Sequence, residues 1–114
     1  MHSETVERPW GTYTTLGQWS DRITLKVLKI NPRSRISLQK HEHRDEEWTC
    51  LSGTARVTVG RRTFVLRVGK RVFIARKKLH RVSSVGGAEI LEVTYGKFDE
   101  NDIVRVEDDY GRVR

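Results

Sequence analysis

The sequence of 114 residues predicts a small all-β protein, built as a sandwich or barrel of many short strands. Alternation of apolar and polar residues recurs along the chain, whereas no segment keeps an i, i+3, i+4, i+7 apolar pattern for three helical turns. Glycine-containing turn sequences separate the alternating runs at intervals of roughly ten residues. A chain of this length is near the usual size of one domain and can bury one hydrophobic core.

The individual strands can be placed in chain order. The first twenty residues, which contain RPWGTY, predict an extended arm and a first strand. Residues 23–30, ITLKVLKI, predict a strand with Ile23, Leu25 and Val27 on one face and the polar Lys26 on the other, before the phase shifts. Runs rich in β-branched and aromatic residues predict further strands at 54–59, 63–68, 71–75 and 88–95.

Turns and the tail complete this description. Glycine, which takes positive φ without steric strain, marks tight turns at 60–62, 68–71 and 85–87, and residues 30–35 form a proline bend. The tail NDIVRVEDDYGRVR predicts a final strand and a frayed end. We therefore divide a single domain into an arm with the first strand (1–20), a barrel core (21–98) and a C-terminal strand with a tail (99–114).

Composition argues against several classes of protein. No apolar run approaches the roughly 20 residues that a membrane helix needs, and the N-terminal residues contain no apolar segment of a secretory signal. The single cysteine, Cys50, cannot form an internal disulfide, so we expect a cytoplasmic protein with no membrane partner. A cysteine of this kind is usually a small buried apolar residue.

Charge is unevenly distributed along the chain. The net charge is +7, and residues 53–88 contain ten Lys or Arg and no Asp or Glu. Such a tract can attract nucleic acid, phosphate esters or acidic surfaces. Nucleic acid is the less favoured partner, because no basic motif is interleaved with aromatic residues and alternating strands would divide the charges between two faces.

The segment LQKHEHRDEEW contains a candidate metal site. If it is extended, His41 and His43 point to the same side, and two imidazoles with a carboxylate suit a divalent transition ion. Glu46 and Glu47 start the next strand, and alternation sends one of them inward without deciding which. His80, which follows a strand-like run, is the candidate that would close the site from a distant part of the chain.

Two motifs resemble those of the cupin superfamily. In SLQKHEHRDEEWTCLSGTARVTV, two histidines two apart precede a glutamate and then six residues to Gly53, a spacing that favours Glu46 over Glu47 as the ligand. Gly69 begins a second segment with the spacing of the other cupin motif, which ends at His80. In this second segment Ala75 and Lys77 replace the usual proline and glycine.

Four separated motifs make the resemblance narrower. ERPWGTY, SLQKHEHRDEEW, SGTARVTV and DIVRVEDDYGR together resemble the type II mannose-6-phosphate isomerase family, a cupin domain often fused behind a mannose-1-phosphate guanylyltransferase. The 114 residues contain no glycine-rich phosphate-binding signature of the guanylyltransferase. The family usually has histidine at Glu42 and Glu47 and glycine at Arg33.

The resemblance implies a fold, a cofactor and an activity. The fold would be a double-stranded β-helix, that is, a cupin or jelly-roll barrel. The activity would be the interconversion of mannose 6-phosphate and fructose 6-phosphate, and the domain would form a homodimer. One divalent ion (Zn, Mn, Fe, Ni or Co) would be held by His41, His43, Glu46 and His80.

An aldose–ketose isomerase needs a base, a group that stabilises the oxygen gaining charge, and cations for the substrate phosphate. The base would be Glu47 or a metal-bound hydroxide. Gln39, two residues before His41, could add a hydrogen bond or a ligand. The candidates that would bind the substrate phosphate are Lys26, Arg35, Arg44 and Lys78, and Lys78 is, with Glu47, also a candidate catalytic residue.

Other functions fit the same residues. A non-catalytic cupin could use the same barrel and metal to bind a sugar or another small anionic ligand. A metal-dependent dioxygenase is a further alternative, because two histidines, a carboxylate and a third histidine can hold Fe(II) or Mn(II) with positions left open.

Overall fold

Eleven β-strands and no helices make up the regular structure of residues 4–97 and 99–113, the part of the chain that the computed structural model describes. The predicted all-β class is therefore confirmed. Residues 1–3, 98 and 114, which our division of the domain includes, lie outside this part. The strands are β1 Glu4–Arg8, β2 Gly11–Trp19, β3 Ile23–Ile30, β4 Ser34–Arg35, β5 Leu38–Lys40, β6 Arg44–Val59, β7 Arg62–Arg67, β8 Arg71–Ile74, β9 His80–Ser84, β10 Ala88–Gly96 and β11 Val104–Glu107.

The strands form one curled antiparallel sheet in the order β1-β2-β3-β10-β6-β9-β5-β11, with β4 beside β9 and with β7 and β8 beside β6. The first twenty residues hold more regular structure than the expected arm and single strand, because β1 and β2 pair with each other as a hairpin. In the described residues, no helix has the length and apolar character needed to cross a membrane.

Strand β6 is the common element of the whole sheet. Its first half pairs with β10 and β8, and its second half pairs with β7 and β9. Gly53 lies at the change of partners with φ of +73°, and a Cβ atom there would approach the carbonyl oxygen of Gly87 to 2.2 Å. Only glycine can therefore occupy this position without moving the backbone.

Residues that alternate inward from the strands form the core. Trp48, Val57, Val82 and Ile90 are fully buried, as an apolar barrel interior requires. Strand β3 covers the predicted residues 23–30, but its buried face is the one that carries Thr24 and Lys26, followed by Leu28 and Ile30. The polar half of this strand therefore faces the interior and contributes to the wall of a cavity.

Candidate metal centre

The side chains of His41, Glu46 and His80 converge inside the barrel. Their ligand atoms lie within 4.8 Å of one another, and all three residues are buried. The Oε1 atom of Glu46 is 3.0 Å from Nε2 of His80 and 3.5 Å from Nε2 of His41. Three neighbouring strands position them, because His41 follows β5, Glu46 lies in β6, and His80 begins β9, which runs between those two strands.

Backbone carbonyl groups orient both imidazole rings. The Nδ1 atom of His41 lies 2.7 Å from the carbonyl oxygen of Asp102, and Nδ1 of His80 lies 2.9 Å from that of Lys78. A carbonyl oxygen can only accept, so each Nδ1 carries a proton and each Nε2 is left to face Glu46. The Nε2 atom of His41 also lies 3.2 Å from Nη2 of Arg44. Histidine ligands of metals are commonly oriented in this way by a hydrogen bond from the other ring nitrogen.

The unpaired atoms of this cluster fit a divalent cation. Glu46 Oε1 and His80 Nε2 are fully buried and make no hydrogen bond, although they lie 3.0 Å apart. Two lone-pair atoms in this position are stabilised only if a proton or a metal ion lies between them. Two imidazoles and a carboxylate are donors that divalent transition ions accept, so this buried cluster can hold a metal.

Charge around Glu46 favours its ionised form. Burial acts to raise the pKa of Glu46, but the facing rings of His41 and His80 outweigh it and leave the pKa well below its ordinary value. Arg44 adds a positive charge from the same strand, with its Nε atom 3.5 Å from Glu46 Oε2. An ionised carboxylate is the form that a metal ligand needs.

The structure does not bring His43 to this cluster. The expectation that His41 and His43 face the same side is wrong, because β5 ends at Lys40 and the chain bends at residues 42 and 43. The carboxylate of Asp102 holds this bend by accepting the backbone N–H of Glu42 at 2.9 Å and of His43 at 3.0 Å. The side chain of His43 is consequently exposed, while Arg44 points inward.

Alternation along β6 separates the two glutamates that the sequence left open. Arg44, Glu46 and Trp48 are buried on one face, and Glu47 lies on the other, opposite the exposed Phe73 of β8. Glu46 is thus the carboxylate of the cluster. The expectation that Glu47 acts as a catalytic base is not supported, because its side chain points away from the interior.

A cavity opens beside the cluster. Its empty volume, the open mouth included, is about 640 Å³, and Glu46 forms part of its wall. Three of the predicted substrate-binding residues line it, namely Lys26, Gln39 and Arg44. The ammonium group of Lys26 lies 4.4 Å from the centroid of the Tyr13 ring, a cation–π contact that positions it at the wall.

Two predicted residues lie elsewhere on the molecule. Arg35 is exposed and binds Asp109 of the C-terminal tail through two hydrogen bonds of 2.7 Å, so it does not face the cavity. Lys78 is exposed in the loop before β9, where its side chain reaches the turn at Gly60. Arg35 and Lys78 are close to the histidines along the sequence, but their side chains do not face the cavity.

The cavity wall also contains residues that the sequence analysis did not identify. Arg8, Tyr13, Glu92, Arg105 and Arg112 line it. A signal for Glu92 was present, because it shares a face with the apolar Ile90 in β10 and is a lone acid on that face. No comparable signal marks the arginines, which come from both ends of the chain.

The chain is similar to known proteins over nearly its whole length. A family model described as Mannose-6-phosphate isomerase C-terminal matches residues 1–108. The alginate biosynthesis protein AlgA of Pseudomonas aeruginosa is 41% identical over 110 residues, which are 94% of this chain and 23% of that protein. A mannose-1-phosphate guanylyltransferase of Sinorhizobium fredii is 38% identical over 108 residues, which are 92% of this chain and 21% of that protein. The chain thus spans less than a quarter of the length of these relatives.

Solved structures confirm the expected cupin fold. The cupin domain of Schizosaccharomyces pombe Cnp3 has a TM-score of 0.70 at 14% identity, covering 75% of this chain and 64% of that one. KdgF from Halomonas sp. has a TM-score of 0.78 at 13% identity, covering 89% and 93% of the two chains. CapF of Staphylococcus aureus has a TM-score of 0.79 at 16% identity, covering 94% and 32%.

Proposed function

This chain belongs to the family of mannose-6-phosphate isomerase C-terminal domains, and on that premise we propose that it is a metal-dependent isomerase of mannose 6-phosphate and fructose 6-phosphate. The observation that carries the proposal is the buried cluster of His41, Glu46 and His80, of which Glu46 lines a cavity that also presents cationic side chains. A sugar phosphate needs both features, because its reacting oxygens and its phosphate are separate groups.

His41, Glu46 and His80 would hold the ion, which is one of Zn, Mn, Fe, Ni or Co. When bound, such an ion acts as a Lewis acid that stabilises negative charge on an oxygen of the sugar. The protein's own contribution is to keep the three donors deprotonated, oriented and shielded from water. Gln39 lies on the same cavity wall and would donate a hydrogen bond to a sugar hydroxyl group.

The cavity wall is suited to an anionic ligand. Its cationic side chains are those of Arg8, Lys26, Arg44, Arg105 and Arg112, set against the acids Glu46, Glu92 and Glu100. Guanidinium and ammonium groups bind phosphate through charge-assisted hydrogen bonds. Positive charge in this partly enclosed space would therefore retain the phosphate while the carbonyl end of the sugar faces the metal cluster.

A coupled assay tests the proposal. The protein is stripped of metal, reloaded separately with each of the five ions, and given mannose 6-phosphate while fructose 6-phosphate formation is followed. We expect turnover with at least one ion in the wild type and its loss in His80→Ala, with His43→Ala as the matched control that stays active. Metal binding without turnover for any ion would contradict the proposal.

A non-catalytic ligand-binding role is the second candidate. It is favoured by the glutamates at positions 42 and 47, where the resembled family usually has histidine. Calorimetry with mannose 6-phosphate, run beside the coupled assay, separates the two, because a non-catalytic protein would bind the sugar phosphate without turnover. Oxygen uptake by the iron-loaded protein tests the dioxygenase alternative.

The homodimer remains a prediction from the family resemblance. Sedimentation equilibrium of the purified chain measures it directly, and a mass of 13.3 kDa at all concentrations would show a monomer.

A further inference from the structure

Glu92 is a buried carboxylate in the cavity wall with no part in the metal cluster or the phosphate site described above. It lies in β10, directly opposite Lys26 of β3 on one side and Trp48 of β6 on the other. The Nε1–H group of Trp48 donates a hydrogen bond of 2.9 Å to Glu92 Oε2. A charged side chain that is 7% exposed and faces a cavity is unusual enough to need an explanation.

The strand register places Glu92 close to the metal cluster. Trp48 is opposite Glu92, and Glu46 is opposite Thr94, so Glu46 and Glu92 are diagonal neighbours on the same face of the sheet. Diagonal neighbours in an antiparallel pair lie about 7–8 Å apart. A sugar oxygen near Glu46 would therefore leave its neighbouring carbon within reach of Glu92.

Trp48 connects the two groups physically. Its ring stands edge-on against the ring of His80, with centroids 5.4 Å apart, while its indole nitrogen holds Glu92. One fully buried side chain thus fixes the orientation of a metal-binding histidine and of the carboxylate next to it. Such a shared support is what a base and a Lewis-acid site need if they are to act on adjacent atoms.

We propose that Glu92 is the base that carries the proton between C2 and C1 of the sugar phosphate, an inference that rests on the proposed isomerase function. The carboxylate of Glu92 takes the hydrogen of C2 as a proton, and the C–H electron pair becomes the C1–C2 double bond. The carbonyl pair of C1 moves onto O1, which takes a proton from water at the open mouth of the cavity. The hydroxyl of C2 then gives its proton to water and its O–H electron pair forms the C2 carbonyl bond, while the pair of the C1–C2 double bond takes the proton back from the carboxylic acid of Glu92. The proton that water gives to O1 is thus replaced by the one that it receives from O2. No oxidant or reductant is consumed.

The surroundings of Glu92 suit proton transfer near neutral pH. Burial, and secondarily the negative charge of Glu46, raises the pKa of Glu92 to about 7, against the opposing effects of Lys26, the Trp48 N–H group and Arg44. Burial likewise lowers the pKa of Lys26 to about 8. A base with a pKa near the working pH transfers protons most effectively in both directions.

The other carboxylates near the cavity are less suitable. Glu46 is engaged by the two histidines, and Glu47 faces away from the interior. Glu100 is exposed and accepts the hydroxyl hydrogen bond of Tyr13. Glu92 is the one of these four that combines burial, a fixed orientation and a place on the cavity wall.

Glu92→Gln in the metal-loaded full chain tests the inference, with two matched controls. Glu47→Gln changes the carboxylate on the outer face of β6, and Glu89→Gln changes another glutamate of β10 that binds Ser52. We expect Glu92→Gln to lower kcat by about 10²–10⁴-fold, the usual contribution of a general base, with calorimetric binding of metal and substrate retained. Both controls should keep wild-type rates.

Several results would overturn the inference. A kcat for Glu92→Gln within about tenfold of the wild type would do so, as would an equal loss of rate and of ligand binding, which indicates a structural role. If Glu92→Gln does not fold, Glu92→Asp decides, because it keeps the charge and withdraws the carboxylate by one methylene. Reduced kcat with binding retained in that variant supports the base, and a wild-type kcat rejects it. A wild type that is inactive with every ion removes the proposed function itself and this inference with it.

Discussion

The Nδ1 atom of His41 lies 2.7 Å from the backbone carbonyl oxygen of Asp102, 61 positions further along the chain. The carboxylate of the same Asp102 accepts the backbone N–H groups of Glu42 and His43. One residue of the C-terminal segment therefore fixes both a ring of the metal cluster and the bend that follows it. The cluster depends on this segment for its orientation.

Replacing Asp102 by Ala should weaken metal binding about 10–100-fold, although the backbone carbonyl that orients His41 remains. The bend after His41 loses its carboxylate acceptor, so it no longer anchors the segment that carries this carbonyl. The free energy of unfolding should fall by about 1–3 kcal/mol, because the N–H groups of Glu42 and His43 lose their acceptor. Metal titration and urea unfolding measure the two effects. Asp99→Ala is the control, since the Asp99 carboxylate binds the N–H group of Asn101.

The pH dependence of the Asp102 effect has a definite sign. Burial acts to raise the pKa of Asp102, but the hydrogen bonds from the N–H groups of Glu42 and His43 outweigh this effect, so the pKa lies below its ordinary value. Its stabilisation is present above the unfolded pKa and is lost as the pH falls through the folded value. The stability difference between wild type and Asp102→Ala should therefore shrink in acid, and a difference that grows there would contradict this account.

Removing single histidines should divide them into two classes. His41→Ala and His80→Ala should each lose divalent metal binding by at least about tenfold, because each removes one buried donor atom. His43→Ala should bind metal like the wild type, since its side chain is exposed. Isothermal titration with Zn and Mn measures all three. Equal losses in His41→Ala and His43→Ala would show that His43 is a ligand after all.

Arg35→Gln should leave the KM for mannose 6-phosphate nearly unchanged, because Arg35 binds Asp109 at the surface. Lys26→Gln, which removes a cation from the cavity wall, should raise the KM by about tenfold or more. Steady-state kinetics at fixed metal concentration compares the two. A larger effect from Arg35→Gln would place the phosphate outside the cavity.

Glu92→Gln should flatten the dependence of stability on pH. The pKa of Glu92 rises from 4.5 to about 7 on folding, chiefly through burial. Its stabilising contribution is therefore complete below the unfolded value and is lost as the pH rises through the folded one. Between about pH 4.5 and 7.5, the variant should gain on the order of 3 kcal/mol relative to the wild type. Urea unfolding of the metal-free proteins at both pH values measures this gain, and parallel curves would contradict it.

Local pattern predicted the strands well and the site only in part. The strand at 23–30 and the inward position of Glu46 followed from alternation and motif spacing, because both depend on neighbours along the chain. The outward turn of His43 depends on Asp102, and the position of Arg35 depends on Asp109. Contacts between residues some 60 to 75 positions apart leave no local signal, which is why the sequence did not indicate these two positions.

Glu92 illustrates a different kind of omission. The sequence shows that Glu92 shares a strand face with the apolar Ile90, but it does not show which strands flank β10. Lys26 and Trp48 become its neighbours because β10 lies between β3 and β6, two strands that are far from it along the chain. Sheet order is set by the whole chain, so a functional residue defined by its cross-strand partners emerges only in three dimensions.

The continuity of β6 has a consequence for how the barrel unfolds. This one strand pairs with β10 and β8 in its first half and with β7 and β9 in its second half. Both parts of the sheet therefore depend on hydrogen bonds to the same strand. If β10 and β8 separated from β6, the N–H and C=O groups of β6 would be exposed while the same strand still paired with β7 and β9. Melting should consequently be all-or-none, with the slowest amide hydrogens to exchange lying along β6.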